Sequence, residues 1–335
     1  MKILSDDCLF KNESESDSYY QCRIPGIVVT KKNTVLTYYE ARKTRSDWAP
    51  MDVVLRRSEN GGKTFSKPIV LAEGSNINKT INNPTMIVGS DNTVHLLYCV
   101  EYGVKSKGGG VFYAKSSDDG ISFTAPKEIS DVFLPLNATV IAIGPGHGIC
   151  TKNGTLITAI WYVDKNKAEN DTNHYPSYVS TLYSTDNGNT FKVGETIKSE
   201  LKDLNESMVV ELSSGDIMIN MRAPNTGFRA ISISKTGFSD WSETYLDKSL
   251  IDPTCFAGIC KVSDKKIVFV NCCDKESRTH LTLKTSIDDG KTWDKGIIIY
   301  EKEAGYADVS LDNNGNIYIA YEIKSGFEYH ISKLN

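Results

Sequence analysis

Three arginines stand in widely separated parts of this 335-residue chain, each beside residues that would build a strand or a tight turn. Arg23 follows Cys22 and precedes Ile24 and Pro25, Arg222 ends the run 216–222, and Arg278 lies between Ser277 and Thr279. A guanidinium is a planar, permanently charged fork that matches a carboxylate bidentately, so three of them brought together would grip a carboxylate. Taken singly, each is most simply a solvated surface residue. Cysteine is the other reactive type, at Cys8, Cys22, Cys99, Cys150, Cys255, Cys260, Cys272 and Cys273. The adjacent pair Cys272 and Cys273 has no second pair at zinc spacing nearby, and the chain holds only five histidines. Buried free thiols are therefore expected, with no metal site and no organic cofactor. A disulfide framework belongs to short secreted chains, and this one is neither short nor visibly secreted.

The elements that must carry these residues are announced by a repeat. The pattern Ser-x-Asp-x-Gly-x-Thr/Ser-aromatic occurs at 116–123, 184–191 and 286–293; a copy at 58–65 has Asn60 in the Asp position, and 234–241 is a degraded copy without the Asp. Its chemistry is that of a tight hairpin. Asp and Ser side chains bond their own backbone, Gly supplies a positive φ, and the aromatic packs back onto the sheet. Each copy follows an alternating run (53–57, 111–115, 179–183, 230–233 and 281–285) that reads as a strand. The spacing of Ser58, Ser116, Ser184, Ser234 and Ser286 is about that of one four-stranded propeller blade. Five hairpins, with strands left over at both ends, predict an all-β, six-bladed β-propeller of four-stranded antiparallel blades, the sixth closed by the first and last segments. No window of 12 or more residues keeps a helical period, and 46–50, 102–110 and 168–175 read as loops. No linker-like stretch interrupts the chain, so one domain over 1–335 is expected, with 1–18 an N-terminal extension or outer strand.

Bulk properties narrow the partners. Hydrophobic residues make up 40% and charged residues 24%, an ordinary globular mix. The net charge of −4 argues against nucleic acid or an anionic membrane, while a local basic cluster can still focus field on a small anion. No apolar stretch reaches the roughly 20 residues that span a bilayer. The acidic, polar N-terminus lacks the basic and apolar regions of a secretory signal, so a cytoplasmic location is expected, or secretion if a signal has been removed ahead of it. No obligate protein partner is indicated.

The repeated turns resemble the Asp-boxes of sialidases and of other propellers that share the repeat, and the resemblance runs in motif order from Tyr20 to Glu322. In that family such turns lie on the rim, away from the chemistry. Arg23, Arg222 and Arg278 are similar to the family's arginine triad, which binds the carboxylate of sialic acid. Tyr306, in Gly305-Tyr306-Ala307-Asp308, resembles the nucleophile segment. A neutral phenol suits an anomeric carbon that already bears a carboxylate, and with a pKa near 10 it needs a base. Glu206 matches that base, with Glu211 as its rival. Asp47 matches the acid/base of the family, with Asp52 as runner-up. Glu322 resembles the glutamate that orients the first arginine, and Arg42 an additional arginine of the pocket; Arg56 and Arg57 are read as structural. The segment 144–148 is also similar to a family segment. Trp48, Met86 and Trp161 are candidate pocket walls. Cys22 and Ala307 depart from the family's usual aromatic and Ser. The resemblance implies a retaining exo-α-sialidase acting on sialylated glycans or oligosaccharides through a covalent tyrosyl intermediate. Transfer to another acceptor, intramolecular transfer, a preference for Kdn, or a non-catalytic sialoside-binding propeller are the alternatives.

Overall fold

Val35–Arg42 shows how the strands are used: all eight of its residues are buried, so both of its faces pack against protein. That is what a blade requires when a neighbouring blade covers each side. In the computed structural model, which describes residues 1–12 and 19–335, six antiparallel sheets form around a common axis. Blade 1 runs Gln21–Val29, Val35–Arg42, Met51–Ser58, Ile69–Ala72, from the axis outward. Blades 2 to 5 repeat the order from the inner strands Ile81–Val88, Ala138–Ile143, Ser207–Glu211 and Gly258–Ser263. Blade 3 carries one extra short strand, Ile149–Cys150, against its second strand. Blade 6 takes Ala304–Leu311, Ile317–Ile323 and Glu328–Leu334 from the end of the sequence and its outer strand, Ile3–Lys11, from the beginning. The ring is thus closed by hydrogen bonds between its two ends. Of the N-terminal stretch 1–18, residues 13–18 lie outside the described residues.

A hydrophobic cluster fills each interface between neighbouring blades. Val28, Leu36 and Leu55 of blade 1 meet Met86, Val94 and Leu96 of blade 2. At the closure, Cys22, Ile27 and Val54 meet Tyr318, Ala320 and Ile331. Burying such side chains fully contributes about 1.5–3 kcal/mol each, and this repeated seam holds the ring. Helix is confined to short 3₁₀ turns among the described residues.

The repeated turns join the third strand of a blade to its outer strand, and their bonds are side-chain chemistry. Ser116 Oγ donates to Asp118 Oδ1 (2.8 Å) and accepts from Gly120 N (2.9 Å); Asp118 Oδ1 accepts from Ser122 N (2.9 Å). Gly120 has φ +77°, and a Cβ there would press on Leu36 at 3.0 Å. Because strands alternate in direction, these turns lie at one end of the ring. The starts of the inner strands and the ends of the second strands lie at the other.

Candidate active site

The opposite end carries a pocket of about 220 Å³ lined from all six blades. Four arginines and two carboxylates line it: Arg23, Arg42, Arg222 and Arg278 against Asp47 and Glu206. It is therefore locally basic inside an acidic protein. Both carboxylates are paired with arginines, an arrangement that suits an anion and disfavours a cation.

Arg23 is held first. It begins the inner strand of blade 1, where a bulge between Arg23 and Gly26 re-aims the side chain. Ile24 sits at φ +58°, a strained value for a β-branched residue. Gly26 is required, since a Cβ there would lie 2.0 Å from the Tyr38 ring. Glu322, at the end of a strand in blade 6 and 1% exposed, receives Arg23 Nη2 at 2.8 Å and Nε at 3.0 Å. It also accepts from the backbone N–H of Ile24 and of Tyr306, both at 3.2 Å. One buried carboxylate thus fixes an arginine and the backbone of the tyrosine together.

Tyr306 is buried, and its hydroxyl lies 2.6 Å from both oxygens of Glu206. Arg222 Nη1 donates to the same hydroxyl at 3.0 Å and to Glu206. The guanidinium carbons of Arg23 and Arg278 lie 5.2 and 5.6 Å from the Tyr306 ring centre. Burial, then the neighbouring Glu206 carboxylate, pushes the Tyr306 phenol well above its ordinary value despite the three arginines. At rest it is a neutral phenol hydrogen-bonded to a carboxylate.

Arg278 comes from a loop of blade 5 and donates from Nη2 to the carbonyl of Thr254 at 3.1 Å. Thr254 sits at φ +61°, again strained, and the segment around it is pinned by a buried pair. Arg229 is wholly buried, lies 3.3 Å from Asp252 Oδ2, and donates to the carbonyl of Cys255 at 2.6 Å. Asp252 Oδ1 accepts the Cys255 N–H at 3.0 Å.

Asp47 stands across the pocket with its side chain 52% exposed, accepting from Arg42 Nη1 at 2.6 Å. Partial desolvation tends to raise its carboxyl, but the charge and hydrogen bond of Arg42, with Arg23 beyond, hold it below the usual carboxylate value. Arg42 itself is buried and anchored by Glu40, whose Oε2 it meets from Nε at 2.8 Å. Glu40 Oε1 accepts the Asn83 N–H at 2.7 Å, tying blade 1 to blade 2.

All eight residues singled out by their motifs converge here. The rivals do not. Asp52 accepts from Tyr19, from the N–H groups of Gly74 and Ser75, and from the Ser75 hydroxyl, so it holds a loop. Glu211 accepts the Lys152 N–H and does not line the pocket. Of the expected walls, only Trp161 lines the pocket. Met86 is fully buried in the seam between blades 1 and 2, because its position in the inner strand faces the neighbouring blade. Trp48 stands behind the wall, its ring 4.8 Å from that of Tyr102. All eight cysteines are free, but only Cys22, Cys99, Cys255 and Cys272 are buried; Cys8 is exposed.

Glu40, Asn83, Tyr102, His174 and Asn205 were not anticipated. Glu40 was within reach, because residues two apart in a strand share a face and Arg42 needed a buried partner. Asn205 adjoins Glu206 in sequence. Tyr102 and His174 come from loops of blades 2 and 3 and meet with ring centres 4.9 Å apart, and no local pattern announces them. Burial lowers the His174 imidazole below its ordinary value, so this wall is neutral.

Fold and pocket together define a six-bladed propeller with Asp-box turns at one end and an arginine-lined site at the other. Residues 52–319 match the BNR repeat-like domain, and the chain belongs to that family. It is 28% identical over 90% of its length to a sialidase of Bacteroides fragilis, of which it covers 59%. Among solved structures, Hadza microbial sialidase Hz136 superposes with a TM-score of 0.81 at 21% identity, over 94% of this chain and 66% of that one. Trypanosoma rangeli sialidase, solved as a covalent intermediate with 2,3-difluorosialic acid, gives 0.76 at 18% identity, over 98% and 58%. The chain therefore spans about three-fifths of the length of these relatives.

Proposed function

We propose that this chain is a retaining exo-α-sialidase that removes terminal α-linked sialic acid from sialylated glycans or oligosaccharides. The observation that carries the reading is the Tyr306 hydroxyl, 2.6 Å from Glu206 and within reach of three arginines. The relatives named sialidases support the substrate class, and the covalent intermediate of the Trypanosoma rangeli enzyme supports the route.

Arg23, Arg222 and Arg278 bind the substrate carboxylate, and the pocket's size suits one sugar. Glu206 takes the phenolic proton as the Tyr306 oxygen forms a bond to the anomeric carbon. Asp47 gives its proton to the departing glycosidic oxygen as that bond breaks. Asp47, now ionised, takes a proton from water; the water oxygen attacks the anomeric carbon, and the bond to Tyr306 breaks. The phenolate recovers its proton from Glu206. Two inversions give net retention. A phenol approaches the anomeric carbon without the like-charge repulsion that a carboxylate nucleophile would meet.

Purified protein is expected to hydrolyse a 4-methylumbelliferyl α-sialoside. With 2,3-difluorosialic acid it should form an adduct on the peptide containing Tyr306, found by mass spectrometry, and Tyr306→Phe should lose the adduct and orders of magnitude in turnover. An adduct elsewhere, or full activity in that variant, would overturn the assigned nucleophile. A folded wild-type protein that binds sialosides without cleaving them would make the chain a binding module.

A further inference from the structure

The outer seam of blade 6 brings together side chains from opposite ends of the sequence. Ile3–Lys11 pairs with Glu328–Leu334 so that Cys8 lies directly opposite His330 and Asp6 opposite Ser332. Glu328 and His330 are two residues apart in one strand and share its face. The Cys8 sulfur, a Glu328 carboxylate oxygen and a His330 ring nitrogen lie within 4.8 Å of one another. Asp6 Oδ2 is 3.2 Å from His330 Nδ1, and Glu328 Oε2 is 3.3 Å from Nε2.

We propose that Cys8, Glu328 and His330 form a binding site for zinc or a similar borderline divalent transition-metal ion, with Asp6 as the carboxylate that orients His330. Sulfur, imidazole nitrogen and carboxylate oxygen together are the donor set of such ions; magnesium and calcium take oxygen alone. The supporting shell is already built. The other oxygen of Asp6 accepts the Tyr321 hydroxyl at 2.8 Å and the Ser332 hydroxyl at 2.7 Å, which fixes the carboxylate facing Nδ1. Asp6 faces Nδ1 and holds a proton there, so Nε2, which faces Glu328, is the nitrogen left for the ion once it gives up the proton it shares with that carboxylate. Lys324 Nζ occupies Oε1 of Glu328 at 2.6 Å and leaves Oε2 for the ion. Cys8 is exposed, so the ion has a way in, and three protein ligands leave one position open. On binding, the thiol proton and the proton that His330 Nε2 shares with Glu328 pass to solvent, so that sulfur coordinates as thiolate and Nε2 through its lone pair. The ion would staple the first described strand to the last, where the ring closes. Nothing in this inference depends on the sialidase reading, because the pocket is built on the first and second strands of the blades and their loops, whereas the cluster lies between the third and outer strands of blade 6.

Metal-stripped full-length protein titrated with cobalt(II) is expected to bind one equivalent, with a thiolate-to-cobalt charge-transfer band that zinc(II) abolishes. Cys8→Ser should lose that band, His330→Gln should lose binding, and Asp6→Asn should weaken binding by about 10- to 100-fold while leaving the band. Circular dichroism would verify that each variant is folded; Cys8→Ser changes an exposed atom and serves as the test if His330→Gln does not fold. Failure of the wild type to bind either ion would overturn the proposal and make the cluster an imidazole shared by two carboxylates. A band that survives in Cys8→Ser would place the ligand at another thiol and overturn it equally.

Discussion

Asp47 rests as a carboxylate against Arg42 and yet has to deliver a proton, so its lowered pKa makes a directional statement about pH. The form that works as an acid is the protonated one, and it is depleted as pH rises through the carboxyl's own depressed value. The kcat/KM for a sugar leaving group, which reports the free enzyme, should therefore be highest on the acid side and fall with rising pH. An aryl leaving group departs without much protonation and should give a flatter profile. Asp47→Ala should cost about 10²–10⁴-fold on sialyllactose, the usual contribution of a positioned acid/base, and far less in the first step with the aryl sialoside. Equal losses on both substrates would remove Asp47 from the acid's role. Exposure favours the assignment: unlike the buried Glu40, Asp47 faces an open pocket where a leaving group and then water can reach it.

At the scale of the elements, the Asp-box is a turn whose stability titrates. The Asp186 and Asp288 carboxyls are held down to about 2, chiefly by the hydroxyls and N–H groups of Thr190 and Thr292. A depressed carboxyl contributes stability that is fully present above its ordinary value of 3.8 and is lost as pH falls toward 2. Part of the acid unfolding of the ring should therefore fall in that window. Blade 1 shows how to remove the dependence. There Asn60 accepts the Thr64 N–H at 3.0 Å and donates to the Thr64 hydroxyl at 2.7 Å, the same turn without a charge. Asp186→Asn should leave the thermal midpoint near its wild-type value at pH 7 and lose less of it at pH 3. A large loss at pH 7 would show that the charge itself is needed. The turns were legible in the sequence because their bonds run between residues two and four apart.

For the molecule as a whole, closure is the vulnerable point. Five blades are continuous in sequence, but blade 6 has its outer strand from the other end of the chain. Without Ile3–Lys11, the strand Glu328–Leu334 would present an open edge of unpaired N–H and C=O groups, a template for self-association. Deleting residues 1–12 should lower the thermal midpoint and raise light scattering on warming, while the pocket residues stay in place at low temperature. An unchanged midpoint would show that the interface between blades 6 and 1 holds the ring by itself. Among the described residues no helix is long and apolar enough to cross a membrane.

Arg23, Arg222 and Arg278 separate what the sequence encodes locally from what the fold decides. Their motif settings, with those of Tyr306, Glu206 and Asp47, were readable in one dimension because short runs such as Arg-Ile-Pro and Gly-Tyr-Ala-Asp are local. The number of blades was readable too, because each turn is built from neighbours. What holds the arginines was decided only by the fold. Glu322 reaches Arg23 from nearly the other end of the chain, Thr254 offers a carbonyl to Arg278 from a strained backbone, and Tyr102 meets His174 across two blades. Such contacts lie between segments distant in sequence, and no local pattern encodes them. A circular fold brings them together by closing six similar sheets on one axis, where every blade delivers its strand ends to the same place.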